Sequence, residues 1–182
     1  AGANGGFSVR EGTSDSAPQN VLGNPDFGNV SFEFWINPDQ VGNSASPLAN
    51  HQSIWETGGG TGTGFAIMND GILRMRQTTG GREVDYDLNA DNQNVLNNTV
   101  PGTYSTGQWI HVVGTLDLES DTTDELRLYV NGTLVGTNGG EQVADWDGGD
   151  PSALGAIGGA NMGGWGGGTA PAGQFQSFDG QI

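Results

Sequence analysis

The densest run of chemistry-bearing side chains is Asp145-Trp146-Asp147-Gly148-Gly149-Asp150. Its three carboxylates are spaced by glycines that let backbone carbonyls turn inward. That suits a hard cation seeking about six to eight oxygens, and calcium is the expected ion. The spacing opens like an EF-hand loop but lacks the closing glutamate, so that motif is set aside. A second acidic cluster comprises Asp117, Glu119, Asp121, Asp124 and Glu125, and a third sets Asp26 beside Asn24 and Asn29. Bunched carboxylates repel one another unless a cation neutralises them. The plainer alternative is that they decorate solvated turns. The candidate metal ligands are Asp145, Asp147, Asp150, Asp117, Asp124 and Asp26.

A second chemistry is sugar recognition. It needs an aromatic face for the CH side of a ring, with amides and carboxylates for the hydroxyls. Trp146, flanked by Asp145 and Asp147, is the preferred platform. Trp165 in the glycine-rich tract 163–173 is the second, with Asn161 close by. Tyr104 and Phe175 are further aromatics at loops or loop ends. Trp35, Trp55 and Trp109 lie in strand-like runs, where core packing is the expectation. His51 and His111 stand in no Ser–His–Asp pattern.

The composition excludes several classes. Net charge is −16, and all five basic residues are arginine: Arg10, Arg74, Arg76, Arg82 and Arg127. Nucleic acid and anionic lipid need basic patches, so neither is an expected partner. No apolar run approaches the ~20 residues that cross a bilayer. The absence of cysteine removes disulfide scaffolds, thiol catalysis and zinc–thiolate sites. A start at Ala1 rather than Met points to a processed product or an excised segment.

The elements that must position these residues are strands. Val30, Phe32, Phe34 and Ile36 alternate with polar or outward positions, which predicts one strand face. Segments 53–57, 64–69, 72–76, 82–88, 108–116, 125–130 and 133–136 read the same way, with weaker strands at 155–160 and 176–182. Asp70-Gly71 and Asn131-Gly132 are expected to close hairpins through positive φ angles. Period two sets Trp109, His111 and Val113 on one face and Ile110 and Val112 on the other. Segments 38–52, 90–106 and 141–154 are long loops, a length that often carries function. No internal repeat or linker divides the chain, so residues 1–182 form one domain. The pattern argues for an antiparallel sandwich or jelly roll.

The order Ser31-Phe32-Glu33-Phe34-Trp35-Ile36-Asn37-Pro38, Ile54-Trp55-Glu56-Thr57, Gln108-Trp109-Ile110-His111-Val112, Leu128-Tyr129-Val130-Asn131-Gly132 and Phe178-Asp179-Gly180-Gln181-Ile182 is similar to a known pattern. It resembles the laminin-G-like domains of the concanavalin A-like lectin/glucanase superfamily, from about residue 7 to 182. The resemblance implies an all-β jelly roll of two antiparallel sheets. It also implies a secreted, extracellular or cell-surface setting, a lectin-like role in adhesion or carbohydrate binding, and a structural calcium ion. In relatives the F-x-G-x-I stretch leads into a last strand that residues up to Ile182 do not supply. A cut sequence, a split module, and a strand donated by a neighbouring subunit or domain through an open sheet edge all remain open. The first reading is therefore a non-catalytic module for a glycan or cell-surface ligand. The alternative is a structural subunit of a surface filament or sheath assembled by strand complementation.

Laminarinase-like enzymes on this fold carry an E-x-D-x-(x)-E strand motif, and Glu83-Val84-Asp85-Tyr86-Asp87 resembles it superficially. The last residue is Asp rather than Glu. Positions i and i+4 of a strand are also too far apart for the ~5–5.5 Å that a retaining pair needs. An enzyme is not expected.

Overall fold

A computed structural model describes residues 7–9, 29–57, 63–77, 82–90, 95–96, 104–117, 125–139, 152–154 and 175–182. These residues form twelve strands, with no helix among them: β1 Phe7–Val9, β2 Asn29–Pro38, β3 His51–Thr57, β4 Thr63–Ile67, β5 Ile72–Gln77, β6 Arg82–Asp87, β7 Ile110–Asp117, β8 Glu125–Val130, β9 Thr133–Gly139, β10 Ser152–Leu154, β11 Phe175–Ser177 and β12 Gly180–Gln181. A seven-stranded sheet runs β1-β10-β3-β4-β5-β6, with β11 added parallel to β3. A five-stranded sheet runs β12-β2-β7-β8-β9. All other pairings are antiparallel, so the architecture is the expected jelly-roll sandwich.

The alternation read from the sequence decides which side chains face inward. On β7, Ile110, Val112, Gly114 and Leu116 are buried, and on β8 Leu126, Leu128 and Val130 are buried. Opposite them stand Phe65 and Ile67 of β4, Leu73 and Met75 of β5, and Val84 and Tyr86 of β6. Each such side chain contributes roughly 1.5–3 kcal/mol by leaving water. The Phe65 ring meets Phe32 at 5.7 Å and Phe34 at 5.1 Å, both edge-on. Gly114 leaves room for that ring: a Cβ there would overlap Phe65 and sit 2.7 Å from Met75 Sδ. Trp55 packs against Phe32 and Phe34, as expected of a core tryptophan.

The two tight turns differ from each other. Asn131 and Gly132 both take positive φ, 48° and 79°, as an Asn-Gly hairpin requires. At Asp70-Gly71 only Gly71 does, at 94°. The turn is wider there, closed by Gly71 N donating to Met68 O and Met68 N donating to Ile72 O. Gly180 takes φ 150°, and a Cβ would overlap Asn37 O, so the close approach expected at this glycine is present.

Buried amides fasten the loops. Asn89 Nδ2 donates to Gly42 O at 2.8 Å, and its Oδ1 accepts from Tyr104 N at 2.9 Å. Gln52 donates to Gln40 O and accepts from Asp179 N, tying segment 39–50 to the C-terminal strands. Among the described residues, the free side of β2 is paired only at Asn37 and Pro38, by β12.

Candidate functional site: an aromatic face on the small sheet

The outer face of the small sheet holds the side chains that alternation turns away from the core: Glu33, Trp35 and Asn37 on β2, His111 and Val113 on β7, and Tyr129 on β8. Trp35 pairs across the ladder with His111, and their rings stack at 4.7 Å with 26° between planes. Glu33 Oε1 accepts from His111 Nε2 at 2.8 Å, so a carboxylate fixes the edge of the ring that Trp35 covers. Trp109, just ahead of β7 and two residues before His111, is also turned outward. Trp35 is 55% exposed and Trp109 48%. Indoles are normally well buried, so two left half-open are apolar surface of the kind that binding sites use.

The backbone under this face is held from below. Asn131 Oδ1 accepts from His111 N at 2.9 Å, Asn131 N donates to His111 O at 2.8 Å, and Asn131 Nδ2 donates to Val95 O at 3.0 Å. The hairpin turn therefore clamps the strand end that carries His111. Arg127 lies further along the same face and is paired with Glu125. These features fit a sugar ring resting on indole faces, with hydroxyls directed to fixed acceptors.

This reverses one expectation: Trp35 and Trp109 are surface residues. On β2 and β7 the inward places belong to Phe32, Phe34, Ile36, Ile110 and Val112, so strand parity overrides the tendency of tryptophan to be buried. Tyr104 and Phe175, in turn, are buried at 4% and 7% exposure and offer no stacking face. Burial pushes the Tyr104 phenol up to about 12. Phe175 packs on His51 at 4.9 Å. The preferred ligand set Trp146, Trp165, Asp145 and Asn161 lies outside the described residues, as do Asp147, Asp150, Asp124 and Asp26. Asp117 ends β7, in register with Asn29 and Glu125. Among the described residues no three His, Asp or Glu side chains gather in a way that could hold a metal ion.

The outer face of the large sheet is built differently. Arg74 donates to both oxygens of Asp85 at 2.7 Å and reaches Glu83 at 3.2 Å, while Arg76 approaches Glu83 at 3.7 Å. The bond to Asp85 is the chief reason the Arg74 guanidinium titrates above its ordinary value, whereas burial lowers Arg76. Two carboxylates of the superficial E-x-D-x-D run are thus locked in an ion-pair ladder. Beside it, Ala66, Met68 and Phe175 form a second apolar cluster. No helix among the described residues is long and apolar enough to cross a membrane.

Solved structures of similar fold include the receptor-binding domain of the botulinum neurotoxin C/D mosaic serotype. It is 15% identical, with a TM-score of 0.53, over 83% of this chain and 38% of that one. The binding domain of botulinum neurotoxin DC in complex with rat synaptotagmin II matches at 14% identity and TM-score 0.50, over 70% and 28%. Botulinum neurotoxin type C, which depends on interaction with two ganglioside molecules to enter cells, matches at 14% and 0.50, over 70% and 27%. The chain spans between about a quarter and two-fifths of those toxin domains, and at this identity the likeness is one of fold. No curated protein sequence matches. A family model of laminin G type matches residues 11–182, nearly the whole chain. With the sandwich, its strand order and its hairpins accounted for, the chain belongs to the laminin G group of the concanavalin A-like lectin/glucanases superfamily.

Proposed function

We propose that the protein is an extracellular, non-catalytic module for adhesion or carbohydrate binding, and that Trp35, His111 and Trp109 form its ligand platform. The observation that carries this reading is the Trp35–His111 stack, pinned by Glu33, with Trp35 and Trp109 both half-exposed. Support comes from the family, and from toxin domains of the same fold that bind gangliosides or synaptotagmin. Glycan-array and cell-binding measurements on the chain and its Trp35→Ala and Trp109→Ala variants test it. Binding lost in both variants, with melting temperatures kept, is the expected result. Binding indifferent to both overturns the site. Hydrolysis of a β-glucan that disappears in Glu83→Gln overturns the non-catalytic reading.

Calcium belongs to the proposal through sequence spacing alone. Asp145, Asp147 and Asp150 would hold it in one loop, with Asp117 and Asp124 or Asp26 as other sites, and Trp146, Trp165 and Asn161 would extend the ligand surface. A melting temperature that rises in calcium and falls back in chelator is expected; an unchanged one removes the ion.

One observation favours a second reading. Among the described residues the side of β2 away from β7 is paired at Asn37 and Pro38 alone, and the rest of that side could accept a strand from a neighbouring subunit, as in a surface filament or sheath. Sedimentation as a polymer supports this reading, and a monomer at high concentration rejects it.

A further inference from the structure

We infer that the aromatic face of the small sheet takes an uncharged glycan and discriminates against acidic ones. This rests on the reading of that face as the ligand platform and names the ligand class it accepts.

The charged group most open to a ligand there is an acceptor. Glu33 has a carboxylate 66% exposed, and one of its oxygens takes the His111 Nε2 proton. An ionised carboxylate has about four lone-pair positions and no donor, so its remaining capacity calls for hydroxyls. Asn37 follows Trp35 by two residues on the same face. Its Oδ1 is enclosed and has no hydrogen-bond partner. Glu33, not the enclosed Asn37 oxygen, is therefore the open acceptor beside Trp35, about 7 Å away by strand rise.

A cation without a carboxylate partner is missing from the same face among the described residues. His111 already serves Glu33. Arg127 is committed to Glu125 and stands four residues further along the sheet, about 13 Å by strand rise. Arg74 and Arg76 lie on the other sheet and face Glu83 and Asp85. A sialic acid, uronate or sulfate seated on Trp35 would meet the Glu33 charge with no counter-charge, inside a molecule of net charge −16. A neutral sugar meets no such repulsion. Its CH face covers the Trp35 indole and its hydroxyls donate to Glu33.

The test is an array of neutral glycans printed beside their sialylated, uronic and sulfated counterparts. It is probed at low and at physiological salt with the chain and its Trp35→Ala and Glu33→Gln variants. The expected result is that signals lost in Trp35→Ala lie on the neutral members of the pairs. Glu33→Gln should then narrow the neutral-to-acidic ratio by about three- to tenfold, the effect of one unit charge at this range in a mostly aqueous setting. The narrowing should be smaller at higher salt. Signals that depend on Trp35 but fall on the acidic members overturn the charge selectivity and leave the platform standing. No Trp35-dependent signal on any glycan overturns the platform and this inference with it.

Discussion

Asn131 performs two jobs that substitutions can separate. Its backbone sits at φ 48°, and its side chain bridges His111 N and Val95 O. Asn131→Gly relieves the backbone and removes both side-chain bonds, which at about 0.5–1.5 kcal/mol each costs about 1–3 kcal/mol. Asn131→Asp keeps an acceptor for His111 N but turns an oxygen toward Val95 O, so one bond is lost and two acceptors face each other, for about 1–2 kcal/mol. Asn131→Ala loses both bonds but, unlike glycine, keeps a Cβ in the left-handed region, so it should lie roughly 1–2 kcal/mol below the glycine variant. For a chain of this size 1 kcal/mol moves the melting temperature by about 2–4 °C, so Ala should fall furthest and Asp and Gly less. Calorimetry, with urea titration as a second probe, reads the order directly. An alanine variant as stable as the glycine variant would refute the strain argument. All three variants within about 0.5 kcal/mol of the parent would refute the clamp.

Other outcomes follow from the same geometry. Gly114→Val should cost about 1–3 kcal/mol or more by overpacking against Phe65 and Met75, and Phe65→Leu in the same chain should restore part of it, as urea midpoints would report. Gly71→Ala combines a φ of 94° with a Cβ that overlaps Asn89 Nδ2, so it should lower the melting temperature more than Gly132→Ala, where the space is open. His51 accepts from Asn69 N through Nδ1, and burial holds its pKa below the ordinary 6.5, with Asp70 opposing. The unfolded chain therefore binds the proton more readily than the folded one. This contribution is whole above pH ~6.5 and declines as pH falls below it toward the lower folded value. Urea midpoints at pH 7 and pH 5 should differ more in the parent than in His51→Gln.

The strands and hairpins legible in the sequence are those where local chemistry and tertiary demand agree. β2, β7 and β8 alternate because one face is core and the other is not, and Asn131-Gly132 marks its turn because both residues must reach positive φ. β1 and β10 carry no such mark. They are three residues each, and they exist by pairing with each other and with β3. The Asn89 hub was equally invisible, since its partners Gly42 and Tyr104 lie 47 and 15 residues away. The aromatic face was present in the alternation, which sets Trp35 opposite Phe34 and Ile36. Residue-type preference pointed inward and the strand parity pointed outward. Parity wins because a one-residue shift would expose the whole row of core side chains.

The two outer faces of the sandwich are thereby assigned different work. On the large sheet, Ala66, Met68 and Phe175 are packed together, and the arginines of β5 face the carboxylates of β6, so that face is closed on itself. A chain with five cations places Arg74, Arg76 and Arg82 on these two adjacent strands. The small sheet is left with Arg127, and with aromatic rings that nothing among the described residues covers. Positive charge is thus drawn away from the face where the indoles open. If that face is the ligand platform proposed above, its apolar area and the Glu33 carboxylate favour a ligand that donates and carries little negative charge. If Trp35 and His111 were there only to cap the sheet, the Glu33–His111 bond would serve stability alone. A Glu33→Gln variant would then change thermal stability alone and leave ligand preference untouched.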